Sequence, residues 1–295
     1  MENKPESCCV WPVSCELGEG PVWVARDAAL WFVDIEAPAL HRFDPVTGTR
    51  FSWTPPCRIG SIAPRAAGGF IAGTEHGFAL LDPIAGSFEL LEHPETHLPT
   101  NRFNDGKVDA SGAFWAGTMD ETKTLRQGSL YRIGHGLDWQ AADTGYRITN
   151  GPAFSVDGRT AYHNDTLDRL TYAFDVAGGV LSNKRVFADW SSRPGNPDGM
   201  TVDAEDHLWV AFWGGWCVRR VSPAGAVVAE YRLPVSNVTS CCFGGPALDR
   251  LFVTSARQAL GSDKLAAQPL AGGLFEIFPG VGGVAGVEFG PQPPR

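Results

Sequence analysis

A chain of 295 residues is about twice the usual domain length, so it holds either two ordinary domains or one large all-β or α/β unit. Hydrophobic residues at 43% supply a sizeable core and charged residues at 19% are too few for a disordered chain, while 35 Gly, 22 Pro, 10 Trp and 17 Phe describe short aromatic strands joined by turns and exclude a helix bundle. With 24 Lys+Arg against 33 Asp+Glu the net charge is -9, which repels phosphate backbones and anionic headgroups, so neither nucleic acid nor a membrane is an expected partner.

The first ten residues, with Glu2, Lys4, Pro5 and Glu6, contain no apolar leader core, and no apolar run of ~18 residues follows; a soluble, cytoplasmic protein is expected. Seven Cys is an odd number, and Cys8-Cys9 and Cys241-Cys242 are adjacent, a spacing that strains a disulfide, so reduced thiols are expected.

One strand phrase then recurs along the chain. The first copy reads Gly20-Pro21-Val22-Trp23, the apolar strand Leu30-Trp31-Phe32-Val33-Asp34, then Leu40 to Pro45 and a turn at Gly48. The second runs from Gly60 through Phe70-Ile71-Ala72-Gly73-Thr74 to Leu81-Asp82-Pro83 and Gly86, and the third from Asn104-Asp105-Gly106 through Phe114-Trp115-Ala116-Gly117-Thr118 to Leu130-Tyr131. A fourth starts at Asn150-Gly151, a fifth at Asp198-Gly199 with Leu208-Trp209-Val210-Ala211, and a sixth at Phe243-Gly244 with Leu251-Phe252-Val253-Thr254 and Leu274 to Ile277. The leading glycines are spaced by roughly 40 to 48 residues, the length of one four-stranded blade. Two β-sandwiches would not require the phrase to recur six times, so the expectation is all-β, a six-bladed β-propeller forming one domain over residues 1–295. An N-terminal strand around Cys9 to Ser14 is expected to close the last blade, and Gly280 to Gly290 reads as a last outer strand with a loose tail.

The first strand of every blade lines the channel, so equivalent residues converge on one axis. The residue before the leading Gly is Glu19, Asp105 with Asn104 beside it, Asn150 and Asp198 in four copies, and Ile59 and Phe243 in the other two. Asp-Gly and Asn-Gly are also ordinary turn dipeptides, but four oxygen donors at one register point to a shared centre. Their charges call for a hard divalent cation: Ca²⁺, Mg²⁺, Mn²⁺ or Fe²⁺, with zinc disfavoured because no His or Cys shares the register. Trp31, Trp115 and Trp209 read as packing residues between blades, whereas Trp213, set beside Gly214 and Gly215, fits packing and a substrate pocket equally.

These residues resemble the SMP-30/gluconolactonase/regucalcin-like family over residues 15 to 278. The resemblance rests on Leu17-Gly18-Glu19-Gly20-Pro21, on Asn101 to Asp109 with its Arg102-Phe103-Asn104-Asp105-Gly106 core, on Ala116-Gly117-Thr118-Met119, on Pro197-Asp198-Gly199-Met200 and on Thr239 to Gly245. It implies one divalent metal held by Glu19, Asn150 and Asp198, hydrolysis of a sugar lactone, and substrate contacts from Arg102 and Asn104 and from an acid after the Gly-Thr-Met phrase, either Asp120 or Glu121. Asp198 is then the proton acceptor or the ligand that orients water, and Arg102 has the alternative role of a salt bridge to Asp105 or Glu19. Ala153-Phe154 after Gly151-Pro152 departs from the family pattern. A non-catalytic calcium-binding regulatory protein and an interaction scaffold are the other readings. A small sugar lactone is the expected partner, and nothing calls for an obligate protein partner.

Overall fold

Strand-forming apolar residues punctuated by Gly, Asp and Pro turns leave each strand short, and each must pair with its sequence neighbour to satisfy its backbone. In the computed structural model, which describes residues 7–292, they form six four-stranded antiparallel sheets, and the chain is a six-bladed β-propeller. The inner strands are Gly18–Val24, Ile59–Pro64, Asn101–Val108, Thr149–Phe154, Asn196–Val202 and Val238–Gly244, for blades 1 to 6 in that order. Blade 6 is completed from the other end of the chain: Cys8–Trp11 pairs antiparallel with Leu274–Ile277, Cys8 opposite Glu276. The closure expected from the sequence is therefore present, although the strand stops at Trp11.

The C-terminal segment departs from its expectation. Gly280 to Gly290 adds no strand to a blade; it crosses the far end of the channel, where Gly283 N–H donates to Leu248 O (2.7 Å), Ala204 N–H to Gly282 O (2.9 Å) and Phe289 N–H to Pro64 O (2.7 Å). With Phe289 buried, the segment joins the ends of blades 5 and 6 to blade 2 and is no loose tail. A run so rich in Gly has few side chains to fill a sheet face, and its backbone groups find partners on four blades instead, Gly290 N–H also donating to Gly112 O (3.1 Å) of blade 3.

The Trp residues expected to pack between blades are buried and share one device. In blades 1, 3 and 5 the indole N–H of Trp31, Trp115 or Trp209 donates to a turn carboxylate, Asp27 (3.1 Å), Asp109 (2.7 Å) or Asp203 (2.8 Å). The guanidinium of Arg132 lies over Trp115 and that of Arg220 over Trp209. Each burial of a large ring is thus accompanied by a satisfied polar edge. All seven Cys are free, and burial pushes the Cys217 and Cys242 thiols up to about 12.

His163 sits edge-on against Tyr146 with neither ring nitrogen partnered, and burial pulls its pKa down to about 3. The unfolded chain takes up this proton near pH 6.5, the folded chain only near 3, so stability present above 6.5 is lost as pH falls through that window. Urea midpoints between pH 4 and 7 should fall less steeply for His163→Gln than for the unaltered protein, by up to about 1.4 kcal/mol per pH unit; parallel curves would contradict this account.

Candidate functional site

The six inner strands begin at one mouth of the channel, and every one is irregular there, blade 2 shifting register between Ile59 and Ser61. Pairing breaks between Glu19 and Val22, Phe103 and Gly106, Asn150 and Ala153, Pro197 and Met200, and Val238 and Cys241. Such bulges insert extra residues on the inner strand and re-aim side chains toward the axis. Gly20 (φ 52°) and Gly151 (φ 87°) supply the left-handed conformations that two of these bulges require.

The bulges revise the register read from the sequence. Glu19 and Asn150 are the last paired residues before their bulges, Asp198 and Asn104 are the first residues within theirs, and Asp105 is the second. The donors therefore do not share one ladder position. In blade 6 the equivalent place is held by Thr239 and Ser240, not by Phe243, which lies near the strand's other end. Thr239 donates to Gly18 O (2.5 Å), bracing the strand that carries Glu19.

Two of the expected residues are directly hydrogen-bonded across blades. Asn104 Nδ2 donates to Thr149 O (2.8 Å) and to Asn150 Oδ1 (3.2 Å), joining blades 3 and 4, and Asn150 Nδ2 donates to Thr166 Oγ1 (2.8 Å). Asn164 Nδ2 donates to the Asp198 carbonyl (2.6 Å), joining blades 4 and 5. Glu19 and Asp198 are both buried. Burial, followed by the charges of Asp198 and Asp105, pushes the Glu19 carboxyl well above the ordinary range, and burial with the charge of Asp105 does the same for Asp198.

Asp105 plays a different part. Its Oδ1 accepts from Gly106 N–H (2.7 Å) and its Oδ2 from Gly151 N–H (2.8 Å), which ties the bulges of blades 3 and 4 together. Burial still raises its pKa to about 6, against the opposing charge of Lys107.

Above this centre stands a guanidinium network. Arg102 is buried and donates to Phe103 O (2.9 Å) and Asn104 Oδ1 (2.9 Å), while its Nε reaches Glu121 Oε1 (3.3 Å) and its Nη2 lies 4.0 Å from Glu36 Oε1. Its ion-pair partners are thus Glu121 and Glu36, not the Asp105 or Glu19 suggested by the sequence. Arg58 donates to both Glu121 oxygens (2.6 and 2.9 Å) and to Glu75 (2.8 Å). Its hydrogen bonds hold the Glu121 carboxyl below the usual range.

This arrangement separates the two candidate acids. Glu121, 37% exposed, meets Arg102 at the mouth. Asp120 is buried and accepts from Thr122 N–H (3.2 Å), Thr124 N–H (3.3 Å), Leu125 N–H (3.2 Å) and the Thr122 hydroxyl, so it shapes the loop after the strand. Glu36, Arg58 and Glu75 have no signal in the repeat because they follow strands at unequal offsets on connecting loops.

The donor chemistry at Glu19, Asn150 and Asp198 suits a hard cation: two buried carboxylates whose repulsion a positive charge would relieve, and the buried Asn150 amide oxygen, which accepts from Asn104 Nδ2. Among the described residues no three His, Cys, Asp or Glu side chains are grouped to hold a metal.

Comparison with known proteins places this geometry. The model of the SMP-30/gluconolactonase/LRE-like region matches residues 17–257. The chain belongs to this family. It is 37% identical to the regucalcin of Xenopus laevis, covering 95% of this chain and 97% of the relative, and 37% identical to the 6-deoxy-6-sulfogluconolactonase of Pseudomonas putida, covering 94% and 96%. Among solved structures, the calcium-binding regucalcin of Agrobacterium tumefaciens superposes with a TM-score of 0.92 at 30% identity over 97% of both chains. A gluconolactonase of Xanthomonas campestris, 21% identical over 92% of this chain and 89% of its own, has a TM-score of 0.77 and shares the fold. Among the described residues no helix of this family member is long and apolar enough to cross a membrane.

The two acids should separate in stability. Asp120→Ala removes the acceptor of several loop hydrogen bonds and should cost about 1–3 kcal/mol in urea unfolding. Glu121→Gln loosens a half-exposed ion-pair network and should stay within about 1 kcal/mol. The reverse ranking would contradict the roles assigned here.

Proposed function

We propose that this chain hydrolyses a sugar lactone to the corresponding aldonic acid, at a centre made by Glu19, Asn150 and Asp198 with Arg102, Asn104 and Glu121 as substrate-binding residues. The observation that carries this reading is a buried Arg102 guanidinium held beside a buried carboxylate pair at the one mouth where the inner strands begin. The sugar-lactonase relative and the family model support it.

Lactone opening adds water to the carbonyl carbon, breaks the ring C–O bond and delivers a proton to the departing ring oxygen. A divalent cation held by Glu19, Asn150 and Asp198 (Ca²⁺, Mg²⁺, Mn²⁺ or Fe²⁺ by the hardness of the donors) would supply Lewis-acid polarisation of the lactone. Asp198 takes the proton from water at its carboxylate and returns it to the ring oxygen, a role worth roughly 10²- to 10⁴-fold. Arg102, fixed at Phe103 O and Asn104 Oδ1, donates to sugar hydroxyls and then to the new carboxylate. Glu121 keeps the Arg102 fork turned to the mouth and accepts from a substrate hydroxyl. Burial of the centre limits competing water and strengthens each of these contacts.

A calcium-binding regulatory protein is the second reading, favoured by the regucalcin relatives. It has no use for Arg102. Aldonolactones assayed by acid release should be hydrolysed by the metal-loaded protein, lose turnover on chelation and regain it when Ca²⁺, Mg²⁺, Mn²⁺ or Fe²⁺ is restored. Activity indifferent to both treatments would sink the metal assignment. Asp198→Asn should lower kcat by roughly 10² or more, and Arg102→Ala should reduce kcat/KM while cation binding by dialysis persists; cation binding without any lactone turnover would favour the regulatory reading.

A further inference from the structure

The Phe212-Trp213-Gly214-Gly215-Trp216 phrase has no part in the chemistry above, yet the structure places it at the same mouth. Trp213 lies opposite Asn196, two residues before Asp198 on the same inner strand. It bridges to Asn237 in front of the blade 6 inner strand and packs against the apolar cluster containing Leu17, two residues before Glu19. Beyond it opens a groove of about 440 Å³ lined by Trp213, Trp216, Ser236, Asn237, Lys264 and Gln268.

Three features of this groove point to a ligand. Trp216 is 38% exposed and holds φ 60°, a left-handed conformation that a bulky side chain rarely adopts. Its backbone is kept there by Trp216 N–H to Ser236 O (3.2 Å) and Leu233 N–H to Trp216 O (2.9 Å). Gln268 is 5% exposed, and its Oε1 accepts from Ser236 N–H (2.6 Å), but its NH₂ group has no protein partner among the described residues. That NH₂ group lines the open groove, where a ligand oxygen can accept from it in place of water. Lys264, on the short helix Ser262–Ala267, adds a second donor with no ion pair among the described residues. Indole faces offer flat apolar surface and the two donors seek oxygen acceptors, which together match one pyranose ring, apolar on its C–H faces and oxygen-rich at its edge.

We propose that this groove is a subsite for a second sugar ring, so that the substrate class is an aldonolactone carrying a glycosyl substituent. The proposal rests on the lactonase reading for the identity of the first ring, and on the groove alone for the second.

The test compares gluconate, maltobionate and melibionate by calorimetric titration of the full-length, metal-loaded protein, with hydrolysis of glucono-1,5-lactone followed in the same preparation. At least one disaccharide acid should bind about fivefold or more tighter than gluconate. Trp216→Gly, which relieves the left-handed backbone while deleting the indole, should abolish that advantage and leave gluconate binding and gluconolactone turnover within about twofold. Gln268→Leu, which keeps the volume and removes the donor, should reduce the advantage without touching turnover. If both disaccharide acids bind no tighter than gluconate, or the advantage survives Trp216→Gly, the subsite is refuted. Turnover of gluconolactone without the advantage leaves the lactonase standing and the subsite refuted; the advantage without any turnover refutes the lactonase and leaves a saccharide site.

Discussion

Two carboxylates that cannot escape one another organise this molecule. Glu19 and Asp198 come from strands more than half the chain apart and are both buried; the charges of Asp198 and Asp105 raise the cost of ionising Glu19, and that of Asp105 raises the cost of ionising Asp198. Such a pair persists only if the surrounding framework is stiff. Here the stiffness is hydrogen-bonded: Asp105 clamps two bulges, Asn104 and Asn150 link blades 3 and 4, Asn164 links 4 to 5, and Thr239 links 6 to 1.

The rest of the fold serves that ring. Indole-to-carboxylate bonds at Trp31, Trp115 and Trp209 fix how second strands sit against the turns of alternate blades. The N-terminal strand closes blade 6, and the C-terminal segment spans the opposite opening. The end where the inner strands begin carries the Arg102, Arg58 and Glu121 network and, by blades 5 and 6, the groove of Trp213 and Trp216. The acidic overall charge does not describe this mouth, where guanidinium groups and carboxylates are interleaved.

Much of the architecture was legible in the chain itself. A phrase of Gly, apolar strand and Asp-Pro turn repeating six times predicts six equivalent sheets, because each copy has only its own strands close enough in sequence to pair with. The strand at Cys8–Trp11 was anticipated for the same reason, since a ring of sheets needs a seam. The Gly-rich C-terminal run was misread because its composition resembles an irregular strand, while its position is set by backbone bonds to Leu248, Ala204 and Pro64 that no local pattern encodes.

At the site, residue types and the family motif pointed to Glu19, Asn150, Asp198, Arg102 and Asn104 before any coordinates, because oxygen donors at blade openings are out of place in a simple core. Only the tertiary structure decided the offsets. A bulge shifts side chains by a residue without changing the sequence around it, so Asp198 meets Glu19 from a different ladder position, and blade 6 presents Thr239 and Ser240 where Phe243 was expected. Glu121 and Asp120, adjacent in the chain, were separable only once one was seen to meet Arg102 and the other to brace its loop, since Asp120 ends the strand and Glu121 begins the turn after it. Local order followed from short-range chemistry written in the chain; the partners of Arg102, Trp216 and Gln268 depend on distances across blades, which only the closed ring determines.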